Sequence, residues 1–119
     1  MPIPKLLVVD DSEICRKPFR RVGKDSSGQV LVEVLEAETG EEGLALFQNN
    51  PDILYAVVDV HLPGIDGFEM LNAWRQHDLK RFEQTTIFMS CSDADDHHDP
   101  NPFRAKSSYR QLQTGNINN

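Results

Sequence analysis

The arrangement of apolar runs along this chain predicts an α/β fold, a parallel sheet with helices on both faces. Three observations carry that expectation. Residues 6–9 and 53–58 are short, unbroken apolar runs bounded by polar residues, the pattern of strands that helices cover on both sides. Strand-like and helix-like stretches alternate in the order β-α-β-α-β-α-β, as crossover connections require. The length, 119 residues, suits one domain, which at that size buries roughly two-thirds of its unfolded surface and holds a core without metal or disulfide staples. The chain is expected to be a single domain over residues 1–119, or a fragment cut from a longer protein.

Each element has its own signal. Lys5 to Asp11 reads as a buried strand that ends in two acids. Ser12 to about Val22 places Ile14, Cys15, Pro18, Phe19 and Val22 at helical spacing, with a basic opposite face. Pro18 lacks an amide donor and clashes with the carbonyl of Ile14, so a kink or a late start is expected there. Gly23 to Gln29 is a polar loop, and Val30 to Ala37 alternates into a second strand. Thr39 caps a helix from about Gly40 to Gln48, where Glu41 and Glu42 complement the N-terminal dipole, and Asn49-Asn50-Pro51 breaks it.

Ile53 to Val60 is the third strand and again runs into an acid, Asp59. Leu62 to Gly67 is a loop. A helix from about Gly67 to Gln76 carries Phe68, Leu71 and Trp74, most simply read as core-facing. Thr85 to Ser90 is the fourth strand. Beyond it the regular pattern degrades. Ser92 to Pro102 has no helical period and contains two prolines. Phe103 to Lys106 is expected as a brief fifth strand, Tyr109 and Leu112 as a last helical turn or two, and 113–119 as a frayed tail.

Composition removes whole classes of function. Lysine plus arginine is 12 and aspartate plus glutamate is 19, a net charge of −7, which repels nucleic acid over most of the surface. No apolar run approaches the roughly 18 residues of a membrane span, and Met1 to Lys5 has no signal-peptide architecture. Two cysteines, Cys15 and Cys91, are too few and scattered for a disulfide framework. The expected compartment is the cytoplasm, without membrane or direct nucleic-acid partners. His97 and His98 among acids read as a solvated loop rather than a metal site, and Cys91 as a structural residue.

The informative residues are the acids. In an open parallel sheet, ligands bind outside the carboxyl ends of the strands. Asp10, Asp11 and Asp59 all sit there, with Ser90 closing the fourth strand at the same edge. Alone, Asp11 or Ser12 reads as a helix cap. Three converging carboxylates, however, repel one another unless a cation joins them, and Mg²⁺ suits a few carboxylates plus waters and a phosphate oxygen.

Three segments resemble the receiver domains of two-component response regulators, the family that includes the chemotaxis response regulator. They are Leu7 to Ser12, Glu36 to Glu42, and Val58-Asp59-Val60-His61-Leu62-Pro63-Gly64-Ile65-Asp66-Gly67. The last is the most specific. The resemblance implies a doubly wound, flavodoxin-like sheet of five parallel strands in the order 2-1-3-4-5. It implies Asp59 as phosphoryl acceptor and Mg²⁺ held by Asp10, Asp11, Asp59 and the backbone carbonyl of His61. Ser90 then contacts a phosphoryl oxygen, Lys106 pairs with the phosphoryl group, and Ser90 with Phe103 forms the switch. The implied donor is a histidine kinase or phosphotransfer protein, and the output is altered binding of a downstream protein. Such a chain catalyses only its own phosphorylation and dephosphorylation.

The resemblance is weakest after Ser90. Fifteen residues separate Ser90 from Lys106, whereas a usual helix, a strand and two minimal loops need about 20. The fourth helix is therefore expected to be shortened or missing, and Arg104 stays an alternative to Lys106 as the site cation. Two other functions remain in view. One is a receiver-like interaction scaffold with impaired switching. The other is a dehalogenase-type phosphohydrolase, which wants a second acid two residues after its nucleophile, where this chain has His61.

Overall fold

A computed structural model describes residues 3–90 and the backbone of Arg110–Leu112. Its elements are β1 Lys5–Val9, α1 Glu13–Arg16, a 3-10 turn Lys17–Arg21, β2 Glu33–Ala37, α2 Gly40–Asn49, β3 Ile53–Asp59, α3 Gly67–His77, α4 Leu79–Gln84, β4 Thr86–Ser90 and β5 Arg110–Leu112. The sheet order is β2-β1-β3-β4-β5. The pairs β1–β2, β1–β3 and β3–β4 are parallel. The order β2-β1-β3-β4 is the doubly wound order that the family resemblance implies, with β1 and β3 at its centre.

The sheet has two unequal faces. Leu7, Val9, Ala56, Val58 and Ile87 point toward α2, α3 and α4 and join Phe47, Met70, Leu71, Trp74 and Phe82 in the main core. Leu6, Val8 and Val57 alternate to the other face and pack with Phe19, as the period of two in a strand requires. Among the described residues, Leu6, Val22, Val32, Tyr55 and Phe88 line an apolar hollow of about 260 Å³ on that second face.

Several elements differ from the sequence reading, each for a physical reason. The first helix is not continuous from Ser12 to Val22. It makes one turn and tightens into 3-10 geometry at Pro18, which cannot donate to the i−4 carbonyl. As a result Phe19 is the one apolar side chain of this segment that turns fully inward, while Ile14 is 84% exposed and Val22 is exposed as well. The second strand starts at Glu33, because the amides of Leu31 and Val32 both bond the carbonyl of Gly23, at 2.6 and 3.0 Å, and close a loop first.

Phe68 is also a correction. It is 51% exposed, and the buried stripe of α3 is Gly67, Met70, Leu71 and Trp74. Those positions recur at i, i+3, i+4 and i+7, and Phe68 lies about 100° away from Gly67 around the helix. A short helix, α4, occupies residues 79–84, which carried no strong periodic signal. Asp78 caps it through the Arg81 amide at 3.1 Å, and its one fully buried side chain is Phe82.

At the far edge, β5 pairs antiparallel with β4, with Met89 opposite Arg110 and Ile87 opposite Leu112. The four strands β2-β1-β3-β4 form the parallel sheet expected, and Leu112 lies in a strand rather than in a helical turn. An antiparallel neighbour starts at the edge where β4 ends and needs no crossover helix. The strand expected at Phe103 to Lys106, Tyr109, and the shortened helix before them lie outside the described residues.

Candidate metal centre

The site is built by strand ends. Val9 pairs with Val58 and Asp59 with Ser90, so one step past Val9 sets Asp10 level with Asp59 at the carboxyl edge. The carboxylates of Asp10, Asp11 and Asp59 each place an oxygen within 4.8 Å of the other two. Asp10 and Asp59 are buried, at 5% and 1% exposure, and Asp11 is open to solvent. Ser90, on the strand beside Asp59, is buried too.

Local hydrogen bonds orient these groups. Asp10 Oδ1 accepts from the Ser12 amide at 3.0 Å, and Asp59 Oδ1 accepts from the His61 amide at 3.0 Å. The capping role at α1 falls to Ser12, whose Oγ accepts from the Cys15 amide at 3.4 Å. Asp11 is not the cap. The loop after β3 is closed by Val60 donating to the Ser90 carbonyl at 2.8 Å and Gly67 donating to the Val60 carbonyl at 3.0 Å. Gly64 turns this loop at a φ of 75°, a conformation that favours glycine. Asp66 and Glu69 then form a capping box that starts α3.

The three carboxylates fit a hard divalent cation. Octahedral Mg²⁺ at its usual oxygen distance spaces its ligands about 3 Å apart when adjacent and about 4.2 Å when opposite. The oxygens of Asp10, Asp11 and Asp59, within 4.8 Å of one another, are close enough for one cation to lie among them after side-chain rotation. With Asp10 and Asp59 buried and Asp11 exposed, solvent reaches the cluster, as the waters that Mg²⁺ retains require. His61 is exposed, and its amide serves Asp59. Phe103, Arg104 and Lys106 lie outside the described residues.

One residue of the site was not read from the sequence. Arg16 belongs to the basic stripe after Ser12, yet only 5% of it is exposed. Its Nη1 donates to the Asp10 carbonyl at 2.6 Å, Nε to Glu36 at 3.0 Å, and Nη2 to Glu38 at 3.4 Å. Glu36 also receives Arg20, at 2.6 and 2.9 Å. Arg20 first, and Arg16 after it, hold the Glu36 carboxyl below its ordinary range. The available signal was an arginine one turn past the acids, facing a neighbouring strand that ends in Glu36 and Glu38.

Comparison with known proteins agrees with this geometry. Residues 6–101 match the family described as response regulator receiver domain. A chemotaxis protein CheY homolog of Campylobacter jejuni subsp. jejuni is 35% identical over 89 residues, covering 71% of this chain and 62% of its own length. This chain thus spans less than two-thirds of that curated relative. The structure of Vibrio cholerae chemotaxis protein CheY4 is 28% identical, with a TM-score of 0.62, covering 79% of this chain and 72% of that one. A chain of the CheX–CheY–BeF3–Mg²⁺ complex from Borrelia burgdorferi, 22% identical and covering 77% of this chain and 64% of its own, shares the fold with a TM-score of 0.60. With the strand order, the acids at the strand ends and these matches in agreement, this chain belongs to the response regulator receiver domain family.

Proposed function

We propose that this receiver accepts a phosphoryl group on Asp59 and thereby alters its binding to a downstream protein. The observation that carries the reading is the cluster of Asp10, Asp11 and Asp59, with Asp59 buried at the end of a central strand. The donor is a histidine kinase or phosphotransfer protein. An Asp59 oxygen attacks phosphorus in line, the P–N bond to the donor imidazole breaks, and an acyl phosphate remains on Asp59. The His61 amide on Oδ1 orients the attacking carboxylate, which is a gain in proximity rather than in reactivity. Asp10, Asp11, Asp59 and the His61 carbonyl hold Mg²⁺, which when bound neutralises charge on the phosphoryl oxygens. The Ser90 hydroxyl donates to one of those oxygens, Lys106 or else Arg104 supplies a further positive charge, and Phe103 reports the change to the surface.

Residues 1–119 hold one receiver domain, by itself or as part of a longer protein, which works in the cytoplasm and catalyses only its own phosphorylation and dephosphorylation. Among the described residues no helix is long and apolar enough to cross a membrane. A second reading, a scaffold with impaired switching, is favoured by one observation. Only fifteen residues separate Ser90 from Lys106, fewer than a usual helix, a strand and two minimal loops need.

Two measurements test the proposal. Incubation with acetyl phosphate and Mg²⁺ should add one phosphoryl group by intact mass, and Asp59→Asn should abolish the gain. A gain that persists in Asp59→Asn, or a parent that never gains mass, sinks phosphoryl acceptance at this residue and leaves the scaffold. Mg²⁺ at ten times its Kd should stabilise the fold by about 1.4 kcal/mol and raise the melting temperature by about 5 °C. Asp11→Ala should lose that response. A parent melting point indifferent to millimolar Mg²⁺ counts against the metal centre.

A further inference from the structure

We infer that Arg16 is a positioning residue for the acid cluster, acting through the backbone of Asp10; the inference rests on reading that cluster as a Mg²⁺ site. Arg16 ends a helix of one turn, Glu13–Arg16, too short to hold its own place by helical hydrogen bonds. What fixes it is the planar guanidinium, which reaches three acceptors at once. They are the Asp10 carbonyl at 2.6 Å, Glu36 at 3.0 Å and Glu38 at 3.4 Å. The first belongs to the peptide that joins Asp10 to Asp11. Rotating that peptide swings both carboxylates, so the bond to its oxygen sets where two of the three ligands point.

The two glutamates complete the device. They anchor the far side of the guanidinium on β2 and the residues just past it, and β2 is itself in register with β1, Val8 opposite Glu36 and Val9 opposite Ala37. The Asp10 carbonyl is therefore held against a neighbouring strand rather than against a mobile side chain. Only 6% of the Arg16 side chain is exposed, and its bond to the Asp10 carbonyl is buried, so that bond is shielded from competing water. A lysine carries the same charge but not the flat fork that spans three acceptors.

The test separates metal affinity from the chemical step and from folding. Mg²⁺ binding is measured by calorimetry, and acetyl-phosphate labelling of Asp59 is followed against Mg²⁺ concentration. Arg16→Gln should raise the half-saturating Mg²⁺ on the order of tenfold in both, while the labelling rate at saturating Mg²⁺ stays near the parent value. Arg16→Lys should not restore the affinity. Arg81→Gln is the structural control. Arg81 makes the same kind of bonds, to the Phe47 and Asn50 carbonyls at 2.8 and 2.9 Å, at the opposite edge of the sheet. It should lower stability and leave Mg²⁺ affinity unchanged.

If Arg16→Gln does not fold, Glu38→Gln decides, because it frees one arm of the fork at an exposed position. A weaker shift in the same direction supports the inference, provided Glu13→Gln, which removes a charge without touching Arg16, shows none. Parent-like half-saturation in Arg16→Gln, or in Glu38→Gln where that variant decides, overturns it. So does equal weakening in Arg81→Gln, which reduces Arg16 to a structural residue, or in Glu13→Gln, which reduces the shift to a loss of charge. A parent that does not titrate with Mg²⁺ fails the metal reading itself, and the inference with it.

Discussion

Trp74→Ala should destabilise the fold by about 3–5 kcal/mol, a large part of the roughly 5–15 kcal/mol that holds a domain of this kind together. Trp74 is fully buried on α3 and stacks on Phe47 of α2, ring centroids 4.3 Å apart and planes 3° from parallel. Arg81 covers the same Phe47 ring at 4.0 Å and binds the last turn of α2. Removing the indole opens a cavity among three helices that the sheet prevents from collapsing. The Trp74 Nε1 has no hydrogen-bond partner, so the indole already carries the cost of a buried, unmatched donor. Trp74→Phe should therefore cost only about 1–2 kcal/mol, since the smaller ring keeps the stack and removes that donor. Urea unfolding checks both, with the midpoint falling and the slope unchanged. A loss below about 1 kcal/mol for Trp74→Ala would mean that the helical layer repacks.

Gly67→Ala should cost about 3 kcal/mol and slow Asp59 labelling even where the variant is folded. A Cβ on Gly67 would overlap the Asp59 carbonyl oxygen and sit 3.1 Å from Val58 Cγ1. The obstacle is backbone of a central strand, which cannot step aside as a flexible side chain does. Gly67 has no positive φ, so with free space alanine would instead gain up to about 1 kcal/mol of helix propensity. The sign of the measured change thus distinguishes close approach from open space. A variant as stable as the parent refutes the packing argument. A destabilised variant with parent-like labelling shows that the Asp59 backbone recovers its position.

The close approach at Gly67 also shows which features are legible in sequence. A helix start near Gly67 was readable from the turn residues of the Leu62 to Gly67 loop, and the structure adds Asp66 as its cap. The same locality made Thr39 readable as a cap, confirmed by its bond to the Glu42 amide at 3.1 Å. The acids at the strand ends were readable too, because an apolar run that stops at an acid needs no knowledge of the partner strand. What the run cannot reveal is the distance between its end and another.

The sequence by itself determined the parallel α/β class, the places where β1, β3 and β4 end, and the identity of the three acids. Each follows from short-range patterning in apolar runs, caps and turn residues. Only the tertiary structure decided the rest. Register put Asp10 level with Asp59, and neighbouring strands made Arg16 a buried clamp rather than part of a solvated basic stripe. The angular position of α3 on the sheet exposed Phe68 and buried Met70. The direction of β5 turned on pairing with β4, which offers hydrogen bonds to a neighbour of either sense. These outcomes depend on contacts between residues far apart in the chain, and a pattern that repeats every two or 3.6 residues carries no information about which distant segment will supply the other half of a contact.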